Sequence, residues 1–159
     1  MKKFMTLFIL LSSFFFLTAC QESSDKTSSA SKEAKENPGD FDFDKKTVTL
    51  NSGYQMPIYG LGTYSLHDEE CKKSVTAALK SGVRLIDTAH AYGNEKEIGE
   101  AIRASNIPRE EIFIITKLYP DQFSDPDAAI EEALEQLDLE YIDMMLLHHP
   151  GDGDIEAYQ

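Results

Sequence analysis

Four short apolar runs alternate with three stretches of helical periodicity, and this alternation leaves the chain few folds to choose from. The runs are Pro57 to Gly62, Arg84 to Asp87, Ile112 to Thr116 and Tyr141 to Leu147. Between the first two, Asp68 is a good N-cap, Val75, Ala78 and Leu79 follow at helical spacing, and Gly82 is a C-terminal stop. Asn94 with Glu97 makes a capping-box-like pair ahead of the inner face Ile98, Ala101 and Ile102. Asp125-Pro126 opens a third helix with the stripe Ile130, Ala133, Leu134 and Leu137. Ahead of them all, Asn51-Ser52-Gly53 sits between two strand-like runs and reads as the turn of a β-hairpin. The expected order is a hairpin, then β-α-β-α-β-α-β. Such alternation gives a parallel sheet with right-handed crossovers. Four strands fit part of an open doubly wound sheet or half of an eight-stranded barrel. No Gly-x-Gly-x-x-Gly follows a strand, which argues against a Rossmann dinucleotide site.

The polar residues at the ends of these runs suggest what the sheet is for. The second run ends in Asp87 and leads through Thr88-Ala89-His90-Ala91 to Tyr92. The third is followed by Lys117 and the fourth by His148. Four such groups at the C-terminal ends of successive strands read as one catalytic site on a β/α scaffold. His148-His149 could suggest a metal, but neighbours along a strand point to opposite faces, so the pair is a poor chelate and no metal site is expected. His67 and His90 are expected in loops without chemistry. Cys71, four residues before Val75 on one helical face, is expected as a buried small hydrophobe.

The N-terminus belongs to a different kind of sequence. Met1-Lys2-Lys3 precedes the apolar run Phe4 to Leu17, which is short for a membrane span and has the layout of a secretory signal. Leu17-Thr18-Ala19-Cys20 resembles a bacterial lipoprotein lipobox. That resemblance implies cleavage after residue 19 and lipidation (diacylglyceryl and fatty acyl chains such as palmitate) of Cys20. The product would be lipid-anchored at the cell membrane on the extracytoplasmic side. Without an Arg-Arg pair, export is expected to be of the Sec type. Residues 1–19 are thus read as signal peptide, 20–46 as a lipid-anchored flexible tether poor in apolar residues, and 47–159 as the folded domain. The net charge of -13 excludes the basic stripe that nucleic-acid binding needs. With 42% hydrophobic and 27% charged residues the chain reads as globular, and its acidity favours solubility.

The domain also resembles the aldo-keto reductases. Met56 to Tyr64 is similar to that family's opening hairpin and first strand, and Leu85 to Ala89 with Tyr92 to Glu95 matches its signature. Ile115-Thr116-Lys117-Leu118 and Tyr141-Ile142-Asp143 to Leu146-Leu147-His148-His149-Pro150 match its third- and fourth-strand motifs. The resemblance implies a (β/α)8 TIM barrel that binds NADPH (or NADH) without a Rossmann motif and reduces aldehydes or ketones, small carbonyl substrates, to alcohols. Tyr92 would be the general acid, Lys117 its tuning ammonium, Asp87 the partner that keeps Lys117 charged, and His148 the donor that orients the carbonyl. A free phenol, with a pKa near 10, needs such tuning at neutral pH. Gly62, Thr63, Tyr64 and Asp87 would touch the cofactor, and Tyr64, Tyr119, His148 and His149 would line the substrate pocket. The family often has Trp where this chain has Tyr64, Tyr119 and His149, which implies a more polar pocket. A complete barrel takes about 250 residues. The sequence therefore reads as an N-terminal half-barrel truncated after the fourth strand, lacking most of the cofactor site. Such a piece is expected to be inactive or nearly so alone. As a different reading, a non-catalytic surface lipoprotein would pair its exposed sheet edges with a second copy or a second chain.

Overall fold

A computed structural model describes residues 39–159. The expected signal peptide, Cys20 and most of the expected tether lie outside the described residues. Within 39–159, no helix is long and apolar enough to cross a membrane.

The opening sheet is antiparallel and has three strands, β1 (Phe41–Asp42), β2 (Thr47–Thr49) and β3 (Gln55–Pro57), in that order. β2 and β3 are the expected hairpin. β1 is an addition, since the sequence placed Phe41 and Asp42 in the tether. A two-residue strand in an Asp-Phe-Asp-Phe-Asp setting carries no local signal. It is held by pairing Phe41 with Val48 and Asp42 with Thr47.

The second sheet is parallel throughout, in the order β4-β5-β6-β7: β4 (Leu61–Gly62), β5 (Leu85–Asp87), β6 (Phe113–Leu118) and β7 (Met144–Leu147). Helices α1 (Asp68–Lys80), α2 (Glu95–Ala104) and α3 (Pro126–Leu137) form the three crossovers, and a short α4 (Asp154–Tyr158) follows β7. The strands are shorter than expected at three places. Lys117, expected just beyond the third strand, is its fifth residue.

Side-chain alternation along the strands builds two cores. Ile86 and Ile114 face the helices and join Cys71, Val75, Leu79, Ile98, Ala101, Ile102 and Leu137 in the main cluster. Leu85, Phe113 and Ile115 face the other side, where Leu50, Met56 and Met144 pack on them. Cys71 is fully buried in the main cluster, and burial with the nearby Glu97 pushes its thiol up to about 11. At ~0.8 kcal/mol per buried methylene, the isoleucines and leucines of the main cluster are the chief source of stability. Gly99 allows α2 to approach the end of α3: a Cβ there would overlap the Leu137 carbonyl oxygen. Asp125 caps α3 by accepting from the Ala128 N–H, as its sequence position implies. The cap expected at Asp68 is absent: Asp68 is the first residue of α1, and the His67 carbonyl accepts from Glu70 and Cys71. Both sheet edges, β4 and β7, are unpaired among the described residues.

Candidate active site

The parallel register brings the expected polar groups together. Gly62 pairs with Asp87, Asp87 with Ile115, and Lys117 with Leu146, so the strand ends lie side by side. Two further bonds carry the ladder past the strands, from Thr88 N–H to the Ile115 carbonyl and from His148 N–H to the Leu118 carbonyl. Tyr92 ends a short 3-10 turn, His90–Tyr92, closed by Gly93 in the left-handed region at φ 63°.

Lys117 shares its alternation with Phe113 and Ile115 and so emerges on the side away from the helices. Its Nζ donates to Asp87 Oδ1 and to the Thr88 carbonyl, both at 2.8 Å. It also lies 5.3 Å from the centre of the Tyr92 ring. Two acceptors for the three N–H groups of an ammonium leave Lys117 one donor. Around this ion pair stand five rings. Tyr64 meets Tyr92 edge to face at 5.2 Å, and Tyr92 meets His148 at 5.5 Å. Tyr119 meets His148 at 5.7 Å and His149 at 5.5 Å. All four expected catalytic residues, together with Tyr64, Tyr119 and His149, thus fall in one cluster.

His148 and His149 depart from the sequence reading. Strand alternation predicts opposite faces, but β7 ends at Leu147, and beyond it the two imidazoles stack at 4.5 Å with 11° between their planes. Ring nitrogens direct their lone pairs in the ring plane, so two stacked rings do not converge on one ion. Among the described residues no group of three or more His, Cys, Asp or Glu is placed to hold a metal. Desolvation, then His149 and Lys117, lower the His148 pKa below the ordinary histidine value, opposed by Asp87. The neutral ring is therefore favoured.

Asn94 was expected to cap α2. Its side chain makes no cap hydrogen bond. It is fully buried and turned the other way. Nδ2 donates to the carbonyls of Thr63 (3.0 Å) and Leu66 (2.8 Å), and Oδ1 accepts from the Thr88 hydroxyl at 2.7 Å. Asn94 thereby ties the loop carrying Tyr64 to the residue whose carbonyl holds Lys117. A buried amide with its bonds made fixes geometry, because the alternative leaves unpaired polar groups. Glu95, next in sequence, is also buried and accepts from the Thr116 hydroxyl at 2.6 Å. Burial raises its pKa, with the Thr116 bond and His90 opposing. The cap signal hid Asn94, although the run Tyr92-Gly93-Asn94-Glu95 pointed at the right segment.

The expected cofactor contacts divide in two. Thr63 is fully buried, and both its N–H and its hydroxyl bond the Asp87 carbonyl, so it shapes the loop from within. Gly62 has open space where a Cβ would stand, and Tyr64 is 75% exposed, so these two present a ledge beside Asp87. A second concavity, about 1070 Å³, lies at the opposite end of the sheet, where Thr47, Tyr54, Arg84 and Tyr141 are among its walls. No member of the strand-end cluster lines it. The convergence of titratable groups, more than cavity size, marks the strand-end cluster as the chemical site.

Comparison with known proteins agrees with this geometry. Residues 58–153 match the model of the aldo/keto reductase family. An aldo-keto reductase of Mycolicibacterium smegmatis is 53% identical over 114 residues, which cover 70% of this chain and 40% of that protein. The glycerol 2-dehydrogenase (NADP(+)) of Saccharomyces cerevisiae is 45% identical, over 67% of this chain and 34% of its own. Among solved structures, an aldo-keto reductase from a Medee basin deep-sea metagenome library superposes with a TM-score of 0.67 at 46% identity, covering 70% of this chain and 42% of that one. The chain thus spans about 40% or less of the length of these curated relatives.

Proposed function

The chain belongs to the aldo/keto reductase family, and from that premise we propose that its strand-end cluster is the proton-transfer part of a carbonyl-reducing site dependent on NADPH or NADH. The observation that carries this reading is Lys117 between Asp87 and the Tyr92 ring, with His148 on the far side of that ring. A substrate oxygen placed between Tyr92 and His148 meets two donors. The Tyr92 hydroxyl gives its proton to that oxygen as the carbonyl becomes an alcohol. The Lys117 ammonium stabilises the phenolate left behind, and Asp87 holds Lys117 in place. His148 donates from its neutral ring and fixes the carbonyl's orientation. The hydride for the carbonyl carbon is what a bound nicotinamide supplies. Gly62, Tyr64 and Asp87 are the described residues that would hold its ring end, with Tyr119 and His149 as the further substrate wall.

These residues supply proton chemistry but little grip on a dinucleotide. We therefore expect the isolated 159-residue chain to be inactive or nearly so. An assay of NADPH oxidation with simple aldehydes on residues 21–159 tests this, and robust turnover would show that the described residues suffice. The unpaired β4 and β7 edges, with Leu146 40% exposed, favour self-association. Light scattering reads this directly, and a strict monomer rules it out. Attachment through a lipid on Cys20 rests on the lipobox sequence alone. Mass spectrometry of the membrane-extracted protein checks it, an unmodified Cys20 being the adverse result.

A further inference from the structure

We propose that His149 is a positioning residue for His148: stacked on it face to face, it holds the His148 ring toward the site opening with Nε2 as its hydrogen-bond donor. The inference deepens the carbonyl-reducing role and rests on His148 being the group that meets the substrate.

Three observations carry it. First, the two rings are near-parallel at 4.5 Å, while Tyr92 and Tyr119 hold His148 edge-on at 5.5 and 5.7 Å. His148 is thereby confined on several sides, and His149 supplies the flat one. Second, His148 Nδ1 is buried with no hydrogen-bond partner. A proton there would be an orphaned donor, which folds avoid more strictly than an orphaned acceptor. The proton of the neutral ring therefore sits on Nε2, the nitrogen left to reach a substrate. A doubly protonated ring would force the orphaned N–H into existence. Third, His149 is exposed where His148 is only partly so. Two cations stacked this closely would repel, so the His149 ring disfavours a charged His148 beside it.

The other charged and titratable groups facing His148 are known. Lys117 from β6 repels a second cation, Asp87 from β5 attracts one, and Tyr92 and Tyr119 approach as neutral rings. Lys117 and Asp87 are already paired at 2.8 Å and partly offset each other.

The test is a histidine NMR titration of the 159-residue chain, wild type against His149→Phe and His149→Gln. The chain has four histidines, so each is resolvable, and His67 and His90 serve as internal references. In the wild type, His148 is expected to titrate below the ordinary histidine value with its nitrogen shifts reporting the Nε2–H tautomer. His149→Phe keeps a stacked ring without charge. It should raise the His148 pKa and leave the tautomer unchanged. His149→Gln removes the ring as well, and should add a mixture of tautomers to the same rise. A His148 titration identical in all three chains, or at the ordinary value in the wild type, overturns the proposal. The titration reads the ring and not turnover. The expected shifts, alongside a full-length relative carrying residues 58–150 of this chain that folds and binds cofactor yet reduces nothing, would uphold the stacking role and count against the reductase reading instead.

Discussion

The two ends of the parallel sheet are built from the same three kinds of group, and they serve different ends. At the N-terminal end Arg109 pairs with Asp143 at 2.7 Å and lies 4.0 Å from the Tyr141 ring. At the C-terminal end Lys117 pairs with Asp87 at 2.8 Å and lies 5.3 Å from the Tyr92 ring. Each is a cation, a carboxylate from a neighbouring segment and a tyrosine. The Arg109 guanidinium also donates to the carbonyls of Ile112 and Tyr141, and Asp143 accepts the Ile114 N–H. Those bonds go to main chain at the start of β6 and just ahead of β7, and fasten the two together. Lys117 keeps a donor spare, and its tyrosine faces further rings at an opening. A planar fork that never loses its proton suits a fastening, and a compact ammonium beside a phenol suits proton transfer.

Substitutions at the two ends should therefore separate stability from chemistry. The largest loss of stability is expected for Arg109→Ala, which strands the Asp143 carboxylate and frees the Ile112 and Tyr141 carbonyls. A cost of about 3 kcal/mol follows from breaking a largely enclosed pair, measured by denaturant unfolding. Asn94→Ala comes next, at about 2 kcal/mol, because it removes the partner of the Thr88 hydroxyl and of the Leu66 carbonyl and leaves the Thr63 carbonyl only its Leu66 N–H bond. The same unfolding series measures it, and a neutral result would remove Asn94 from the site's framework. Lys117→Met should cost only about 1 kcal/mol, since Asp87 is about one-third exposed and water can replace the lost partner. Equal losses for Arg109→Ala and Lys117→Met would erase the contrast between the two ends.

The smallest effect has the opposite sign. Burial raises the Glu95 pKa, so the folded state favours its protonated form. Stability from this group is fully present below the ordinary carboxylate value and is lost as pH rises through the raised one. Glu95→Gln should therefore raise the thermal midpoint at pH 8, with the gain shrinking as pH falls toward 4. A gain that is constant with pH would place the cause elsewhere than in ionisation.

What could be read from the sequence was what is encoded locally. Val75 and Leu79, or Ile98 and Ile102, repeat at helical spacing and bury as that spacing demands. Asp87, Tyr92, Lys117 and His148 stood out because each sits at or just past a strand, where parallel β/α folds gather their polar ends. The rest depended on distant partners. Arg109 and Asp143 are 34 residues apart in sequence, and nothing near either announces the other. Asn94 looked like a cap because asparagine caps helices. The carbonyls that claim its amide lie 28 and 31 residues away. Strand alternation fails at His149 because it lies two residues past the place where the strand stops.

The central claim is that this chain's strand-end residues are competent for carbonyl reduction. The most direct measurement replaces the matching segment of a full-length relative with residues 58–150 of this chain. The aldehyde reductase of Saccharomyces cerevisiae, 48% identical over 104 residues, is a suitable host. The account predicts NADPH-dependent aldehyde reduction by the chimera, falling by about 10³-fold on Tyr92→Phe. A folded chimera that binds cofactor yet reduces nothing, or one indifferent to Tyr92→Phe, would contradict it.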